Sequence, residues 1–450
     1  MPRDTVHREL PVASLSERLS VFSQVVAPTV AKGPIIRRRR VVGLAESLGL
    51  DERAIRVLAR LRDRHGEGPV LLPLPGRLHA VALSPGVALR VLRETPDPFS
   101  PDTAEKHMAL GQFEPETSLV SRGGERVARR RLSEEALEAG CPVHSLAGPM
   151  LEAAGATGRR LSQGGGLDWK RFFPEWYALG REILLGRGAR DDVGLTDLLA
   201  RLRRRANWVV LPRREGMIRE LHGRIAGHLA RAEPGTIAAR IAAGARGASP
   251  THQVTQYLFA WDPAGMATFR ALALLASHRG AMELAREEAG GGRAMMPLLR
   301  ATIMESLRLW PTTPAILRET TREVDWDGAS MPEGTNILLF APFLHRDPGL
   351  SFADRFAPEL WLDDRGVRRA ADGPLALVPF SYGSGICPAA DLVPMMGGAV
   401  LAEVIAAREV RLADPERLRA DRPLPGTLDN FSLRFELGPR PRRGDFRAGS

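Results

Sequence analysis

The feature that most constrains this chain is a short loop toward its C-terminus, Phe-Ser-Tyr-Gly-Ser-Gly-Ile-Cys-Pro, at residues 380–388. Two glycines stand shortly before Cys387, and Pro388 follows it directly. Glycine permits a tight turn and proline suits the first position of a helix, so the pattern predicts a loop that runs into a helix. A sulfur at the positive end of a helix dipole is favoured as the thiolate.

The cysteine content limits what this sulfur can do. The chain has two cysteines, Cys141 and Cys387, far apart in sequence, which form no disulfide framework and fit a reducing compartment. We interpret Cys141 as structural. A lone thiolate is better suited to binding one metal axially, as in haem, than to a four-ligand zinc site. The alternative is that Cys387 is a small buried hydrophobic residue, and a lone cysteine more often is.

Residues at fixed distances from Cys387 favour the metal. Phe380 and Gly383 precede it, and Glu305 and Arg308 stand three apart on an earlier predicted helix. In this order the motifs resemble the cytochrome P450 family of haem-thiolate monooxygenases. The resemblance implies that Cys387 ligates the iron of haem b, that Phe380 and Gly383 shape the cofactor loop, and that Glu305 and Arg308 form a buried structural pair.

The resemblance also implies a mainly α (α+β) fold, a large helical body with a small β-rich N-terminal part. No linker divides the 450 residues, so we expect one domain over 1–450. No apolar run approaches the ~18 residues of a membrane span, so we expect a cytoplasmic monomer without membrane contact. The segment 1–45 has no readable role, and 438–450 is expected to be a disordered tail.

The positive charge does not by itself indicate nucleic-acid binding. The net charge is +10, and almost all basic residues are arginines spread along the chain. The runs at 37–40 and 203–205 lack interleaved aromatic residues, so they are interpreted as solvated helix ends.

Residues Pro250 to His278 predict the longest helix, bounded by helix start and stop signals. It resembles the family's central helix, which crosses the haem on the oxygen side with an acid followed by an alcohol. Asp262 takes the place of the acid, while the alcohol position holds Pro263 or Ala264. A proline inside a helix costs about 3 kcal/mol, so we expect Pro263 to open the helix where oxygen would bind. Ala264 and Gly265 are expected to leave room for oxygen and substrate.

Cationic residues are needed for the haem carboxylates. The resemblance implies that Arg318 on a strand contacts one propionate and that Arg131, on the basic helix 124–138, contacts another; a solvated face is the alternative for that helix. Gly385 stands where the family usually has a third cation.

The resemblance implies a third partner for Glu305 and Arg308 as well. The family places an arginine at the position of Leu360, so Arg355 is the nearest candidate to replace it.

The resemblance implies a monooxygenase that acts on a small or medium hydrophobic metabolite of secondary metabolism. Electrons would come from an external ferredoxin and ferredoxin reductase, since no dinucleotide fingerprint follows a strand. Arginines at 124–131 and 365–369 are candidates for docking ferredoxin, and the loop 95–117 is expected to cover the substrate. Two alternatives stay open: a peroxide-driven or non-hydroxylating enzyme of the same fold, and a catalytically silent haem-binding or recruitment module.

Overall fold

The computed structural model describes residues 9–74, 76–208, 211–244, 248–291, 295–363, 366–367 and 375–440. The α-helices of these ranges are α1 (Leu15–Val21), α2 (Ala27–Ala31), α3 (Arg39–Ser47), α4 (Leu50–His65), α5 (Pro85–Arg93), α6 (Ala104–Leu110), α7 (Gly123–Leu137), α8 (Ala147–Leu161), α9 (Trp169–Leu185), α10 (Val193–Ala206), α11 (Glu215–Arg231), α12 (Ile237–Gly244), α13 (Pro250–Ser277), α14 (Arg279–Gly291), α15 (Pro297–Leu309), α16 (Ala341–His345) and α17 (Leu392–Ala407).

The strands are β1 (Val70–Leu74), β2 (Arg77–Val81), β3 (Phe99–Ser100), β4 (Gly166–Asp168), β5 (Ala315–Thr320), β6 (Val324–Trp326), β7 (Ala329–Met331), β8 (Asn336–Phe340), β9 (Leu362–Asp363), β10 (Gly366–Val367), β11 (Arg408–Leu412) and β12 (Arg434–Pro439). The largest sheet has the order β1-β2-β8-β5-β3, in which only the β2–β8 pair is parallel. A second sheet has the order β11-β12-β4, and β6–β7 and β9–β10 are hairpins.

This architecture confirms the mainly α fold class, with one refinement. The hairpin of β1 and β2 is present, with Val70 opposite Val81. The sheet is completed by β5 and β8 from much later in the chain. The β-rich part is therefore assembled from both halves of the sequence.

The core surrounds α13, which is buried along most of its length between α9, α15 and α17. Its residues are mostly apolar or small on every side, the pattern of a helix covered all round. Small residues let neighbouring helices approach closely: a Cβ on Gly158 of α8 would lie 2.5 Å from the Glu403 Cβ of α17.

The N-terminal segment is part of this body. The ammonium of Lys32 and the carboxylate of Asp51 form a buried ion pair at 2.5 Å, and Thr427 donates to the same carboxylate at 2.6 Å. Arg417 pairs with Glu46 on α3. Contacts of this kind fasten residues 9–47 to the C-terminal third of the chain.

Pro394 lies in the first turn of α17, where a proline displaces no helical N–H bond, so the helix continues through it. One local expectation was wrong. Residues 438 and 439 belong to β12, where Gly438 pairs with Glu409, so the predicted tail does not begin there. Residues 441–450 lie outside the described part of the chain.

Substituting Gly158→Ala is expected to lower the free energy of unfolding by about 1–3 kcal/mol, because the added methyl group would overlap α17. Chemical denaturation measures this. Gly148→Ala on the same helix is the control: no atom lies within 4 Å of the added Cβ, so stability should stay unchanged or rise by less than about 1 kcal/mol. Equal effects at both positions would contradict the close approach of α8 and α17.

Candidate functional site

The cysteine loop has its shape fixed from both ends. The backbone N–H of Cys387 donates to the carbonyl of Phe380 at 2.8 Å, which closes the loop on itself. Gly383 has φ +64°, and a Cβ there would lie 2.4 Å from the carbonyl oxygen of Leu92 near the end of α5. No other residue type fits at Gly383 without moving the loop. The loop therefore holds the sulfur at a defined distance from α5.

The expected position of Cys387 at the start of a helix was wrong. Residues 388–391 form turns, with Ala390 N–H donating to the Cys387 carbonyl, and α17 begins only at Leu392. Burial raises the pKa of the Cys387 thiol, while the N–H of Ala389 and the charge of Arg130 oppose this shift. Burial outweighs the local dipoles, so the thiolate needs a bound cationic partner such as a metal.

Cations surround this loop. Arg318 of β5 is buried and donates from Nε to the Thr95 hydroxyl at 2.9 Å. Burial and the neighbouring charge of Arg126 lower the pKa of Arg318 to about 10. A Cβ on Gly385 would lie 2.7 Å from Nη2 of Arg318. The glycine that replaces the family's usual cation therefore leaves room for Arg318 in the same space.

Helix α7 adds two more cations, Arg126 and Arg130. Arg126 is buried and donates to the Ser384 carbonyl at 3.3 Å, and burial lowers its pKa. In the described ranges Nε of Arg126 and Nη2 of Arg130 have no hydrogen-bond partner, and neither Arg126 nor Arg318 has an ion pair. Buried cations without counter-charges are costly. A ligand with two carboxylates, as in haem, would supply the missing charges, so these residues fit the propionates of that cofactor.

The expectation for Arg131 was wrong. Its side chain is 77% exposed and pairs with Glu135 at 2.6 Å, on the outer face of α7. Arg126 and Arg130 are four residues apart and therefore share the inner face. The spacing of four groups Arg126 and Arg130 on one face of a basic helix, but it does not specify which face of the helix is the inner one.

One face of α13 is less buried than the rest of the middle of the helix. Gln256, Phe259, Ala260 and Pro263 are partly exposed, at spacings of three, four and seven residues, and therefore share one face. Pro263, one of the two candidates for the alcohol position of the family motif, lies on this face, while Ala264, the other candidate, is buried.

The helix is not opened by Pro263, contrary to the expectation. It is continuous from Pro250 to Ser277. Neighbouring side chains donate to carbonyls in the turn before the proline: the indole N–H of Trp176 to Trp261 at 2.8 Å, and the hydroxyl of Tyr177 to Leu258 at 3.3 Å. Such donors support a helix near a proline.

Gly265 also differs from the expectation. A Cβ there would lie 2.7 Å from the Trp176 ring, so the space beside Gly265 is filled by α9 and not left for oxygen. Ala264 is buried, and its carbonyl accepts a hydrogen bond from Thr268 at 2.9 Å. The small residues serve the packing of α9 against α13.

Asp262 is buried and paired. Its Oδ2 accepts from Nη2 of Arg203 on α10 at 2.6 Å, and both side chains are 3% exposed. Arg203 also donates to the Tyr177 hydroxyl at 3.0 Å and to the Ile35 carbonyl at 3.3 Å. The interpretation of residues 203–205 as a solvated helix end was therefore wrong for Arg203. In the other run, 37–40, Arg37 is half-buried and donates to the Thr312 carbonyl, so the interpretation as a solvated helix end was wrong for Arg37 as well.

The expected pair of Glu305 and Arg308 is formed and fully buried. Two hydrogen bonds of 2.8 and 2.6 Å join the guanidinium to the carboxylate. Arg308 also donates to four backbone carbonyls in the segment 345–355, which satisfies its buried N–H groups. The pair thereby fixes the chain that leads toward the cysteine loop.

The third partner of this pair is Trp361. Its indole N–H donates to Glu305 at 2.9 Å, and the N–H of Ala357 donates to the other carboxylate oxygen at 2.8 Å. Arg355 contributes only its backbone carbonyl, to Arg308, so the expectation for Arg355 was wrong. An indole and an amide supply the hydrogen bonds that a second guanidinium would have supplied.

His345 connects this network to the loop. Its Nε2 accepts from the N–H of Val378 at 3.0 Å, just before the loop begins at Phe380. Burial and the charge of Arg308 lower the pKa of His345 to about 3, so the ring is neutral and can accept. The carbonyl of His345 accepts from Arg308, which joins α15 to the loop through one residue.

The loop 95–117 contains β3 and α6, and its last turn carries a buried acid. Glu114 is 0% exposed, and neither of its carboxyl oxygens has a hydrogen-bond partner in the described ranges. Burial raises the pKa of Glu114 well above its usual value, and only the charge of Arg203 opposes the shift. Sequence reasoning gave no signal for this residue.

Other expectations have simple outcomes. No helix in the described ranges is long and apolar enough to cross a membrane. Within those same ranges no group of three or more His, Cys, Asp or Glu side chains could hold a metal ion. The arginines expected at 365–369 for ferredoxin docking, Arg365, Arg368 and Arg369, lie outside the described residues.

A helical body surrounds a half-buried cysteine loop, and two buried arginines beside the loop, Arg126 and Arg318, have no ion pair in the described ranges; these residues fit a thiolate-bound haem. Residues 260–422 match the family model for cytochrome P450. The retinoic acid-bound cyanobacterial CYP120A1 has a similar fold, with a TM-score of 0.65 and 17% identity over 85% of this chain and 94% of its own. The family model thus covers residues 260–422 of the 450, and the likeness to CYP120A1 shows a shared fold over most of the chain.

Sequence relatives match a shorter region. The cyclooctat-9-en-7-ol 5-monooxygenase of Streptomyces melanosporofaciens is 40% identical over 132 residues, 28% of this chain and 25% of the relative. The drimenol monooxygenase of Persicaria hydropiper is 34% identical over 165 residues, 33% and 32% of the two chains. The matches thus span about a quarter to a third of these relatives' length.

Substituting Trp361→Phe is expected to lower the free energy of unfolding by about 1–3 kcal/mol, because a buried oxygen of Glu305 loses a donor. Denaturant titration measures this. Trp208→Phe, at an exposed tryptophan, should change stability by less than about 0.5 kcal/mol. If the two variants behaved alike, the indole would not be the third partner of the pair.

Two acids of one loop should affect stability in opposite directions. Glu114 has a raised pKa in the folded protein, so the wild type should lose stability as pH rises above about 4.5, where the unfolded acid ionises. Glu114→Gln removes this loss and should be increasingly more stable than wild type toward pH 8.

Glu116 has a pKa lowered chiefly by a hydrogen bond from Ser249, so its ionised form stabilises the folded protein above about pH 4.5. Glu116→Gln should therefore be less stable than wild type at pH 7. Thermal unfolding from pH 4 to 8 measures both, and a wild type less pH-dependent than Glu114→Gln would contradict the first.

Proposed function

We propose that this protein is a haem-dependent monooxygenase that oxidises a small or medium hydrophobic metabolite with O2. The observation that carries the proposal is the cysteine loop lying beside two buried arginines, Arg126 and Arg318, that have no ion pair in the described ranges. A thiolate ligand and two cations are what an iron porphyrin with two carboxylates requires.

The cofactor we assign is haem b. The Cys387 sulfur would ligate its iron, and Arg126, Arg130 and Arg318 would hold its carboxylates. Phe380 and Gly383 would shape the loop below it. Haem ligated by a thiolate activates O2 and allows one oxygen atom to enter a C–H bond.

The less buried face of α13 favours an apolar substrate. Phe259, Ala260 and Pro263 are its apolar residues, and Gln256 adds one polar group at its edge. Two of the relatives are named for activity on cyclooctat-9-en-7-ol and on drimenol. We infer a similar class for this chain, a hydrocarbon-rich metabolite that fits the few polar groups of this face.

Proton delivery is assigned to Asp262. Its Oδ2 is held by Arg203, and the two residues that follow Asp262, Pro263 and Ala264, are the candidates for the family's alcohol position. Neither of these side chains has a proton to give. The carboxyl group would pass its proton by way of water or a hydroxyl group of the substrate, because no hydroxyl side chain stands at the alcohol position.

Electrons are assigned to a separate ferredoxin and ferredoxin reductase. The charge of Arg130 on α7 already acts on Cys387, and α7 carries further arginines toward an approaching acidic partner. We also infer a single domain over 1–450 and a cytoplasmic monomer, which the two free cysteines suit.

A second candidate is a peroxide-driven or non-hydroxylating enzyme of the same fold. Pro263 favours it, because an enzyme supplied with peroxide needs fewer delivered protons. Oxidation of a test substrate with hydrogen peroxide alone, at a rate above that with O2, ferredoxin and reductase, would select this candidate. Haem binding with no oxidation under either condition would select a catalytically silent haem-binding module.

The reduced, carbon monoxide-bound protein tests the central assignment. We expect the absorption band of thiolate-ligated haem in the wild type and its complete loss in Cys387→Ala. A wild type that binds no added haem, or an unchanged band in Cys387→Ala, would overturn the proposal. Circular dichroism of both proteins checks that the fold is retained.

The cations give a second test. Arg126→Gln should weaken haem retention by about tenfold or more, because a buried charge-assisted hydrogen bond is lost. Arg131→Gln on the same helix is the control and should change retention less than about twofold, since that residue is exposed. Transfer of haem to apomyoglobin measures both rates. Equal effects would place the carboxylates elsewhere.

A further inference from the structure

The two arginine runs of the sequence, 37–40 and 203–205, meet at one tryptophan on the surface. Trp208 follows the second run directly, just after the end of α10. From the first run, Arg38 donates to three backbone carbonyls, and its guanidinium carbon lies 5.0 Å from the centroid of the Trp208 ring. Trp208 is nevertheless 60% exposed. The fold thus brings to both runs the aromatic side chain that neither contains in sequence.

The outer face of α10 carries further cations toward this indole. Arg201, Arg204 and Arg205 stand at spacings of three and four residues, so they share one face of the helix. Arg203 lies on the opposite, buried face, where it pairs with Asp262 at 2.6 Å. The three outer arginines are therefore on the side of α10 that is turned away from Asp262.

These side chains line an open concavity of about 570 Å³ between the end of α10 and the start of α11. The volume falls within the roughly 300–1,000 Å³ that is usual for small-molecule sites. Besides the three arginines of α10, the lining residues are Trp208, Leu211, Arg214 and Met217. The lining therefore combines four guanidinium groups with one indole and two further apolar side chains.

No carboxylate balances this charge in the part of the chain that the structure describes. There the lining contains no Asp or Glu, and none of its four arginines has an ion pair. Nε of Arg205 is buried without a hydrogen-bond partner, although its Nη2 donates to the Pro212 carbonyl at 3.0 Å. The other three arginines are exposed, and water can solvate each of them. Their convergence on one concavity with an indole, and not their charge alone, indicates a site for an anion.

Guanidinium groups beside an indole select a particular ligand chemistry. A guanidinium presents parallel N–H donors that match two oxygens of a phosphate, and four such groups favour a ligand with more than one negative charge. Arg38 covers one face of Trp208, and the indole stays mostly exposed, so a planar ring has room on its other face. Bases and other flat rings stack on tryptophan in this way. An anion with two phosphates and a flat ring meets all of these features.

We propose that this concavity, the Trp208 site, binds an organic diphosphate with a planar ring, such as a nucleoside diphosphate. The four lining arginines hold the phosphate oxygens, the ring stacks on Trp208, and Leu211 and Met217 cover the apolar edge of the ring. The inference goes beyond the proposed oxidation, because the site is on the side of α10 turned away from Asp262. Its ligand is therefore separate from the metabolite that is oxidised.

Isothermal titration of the full-length protein with ADP tests the phosphate contacts. ADP should bind saturably at a single site, and adenosine, which has no phosphate, should bind at least about tenfold more weakly. Arg204→Gln should weaken ADP binding by about tenfold, because a charge-assisted hydrogen bond to phosphate is lost. Arg219→Gln is the matched control: it removes the same charge from an exposed position of α11 outside the lining, and should change the affinity by less than about twofold. Equal effects of the two variants would reduce the binding to general charge attraction and overturn the site.

The stacking contact is tested by separating the ring from the phosphates. Trp208→Ala should weaken ADP binding by about five- to tenfold and change the affinity for pyrophosphate by less than about twofold, because pyrophosphate has no ring to stack. The side chain is exposed, so the fold should be retained, which circular dichroism checks. An equal loss for both ligands, or no loss for ADP, would overturn the assignment of a planar ring to Trp208.

Larger phosphate-bearing partners are separated on the same samples. Vesicles that contain phosphatidylglycerol and a single-stranded oligonucleotide present phosphates to the same arginines, and binding of either without saturable binding of ADP would overturn the proposal. The carbon monoxide band should be equal in Arg204→Gln and the wild type, because Arg204 lies outside the cysteine loop. A wild type without this band would remove the proposed oxidation alone, and a wild type without ADP binding would remove the Trp208 site alone.

Discussion

The rest of the site depends on the buried ion pair between Glu305 and Arg308. Each partner has more hydrogen bonds than the pair itself provides, because Arg308 donates to four backbone carbonyls and Glu305 accepts from Trp361 and Ala357. A fully satisfied buried pair of this kind fixes backbone geometry, since losing either partner leaves a buried charge. Through His345 it sets the position of the chain that enters the cysteine loop.

Around that loop, several departures from the family pattern are compensated by neighbours. Gly385 stands where the family usually has a cationic residue, and Arg318 occupies the space that the glycine leaves. Leu360 stands where the family has an arginine, and the next residue, Trp361, donates a hydrogen bond to Glu305 instead. The compensations share a cause: a buried charge or acceptor requires a partner, but the partner can come from any residue that reaches it.

Packing around α13 outweighs the cost of the proline inside it. The stacked rings of Trp176 and Trp261, 4.9 Å apart, pack α9 against α13, and the helix is continuous through Pro263. Not every buried polar group is compensated in this way. Glu114 is buried, and its carboxyl oxygens have no hydrogen-bond partner in the described ranges, which costs stability.

The sequence by itself determined what depends on local spacing. It predicted the bounds of α13 to within one residue and the pair of Glu305 and Arg308, because those patterns lie within one element or one turn. It also supplied Cys387, whose ligation of iron stays a prediction. Only the tertiary structure decided that Arg126 and not Arg131 faces the loop, that Trp361 completes the buried pair, that Gly265 accommodates Trp176, and that Glu114 is buried without a partner. Each of these depends on a side chain far away in sequence, and neither hydrophobic periodicity nor spacing within an element specifies which distant residue will lie against it.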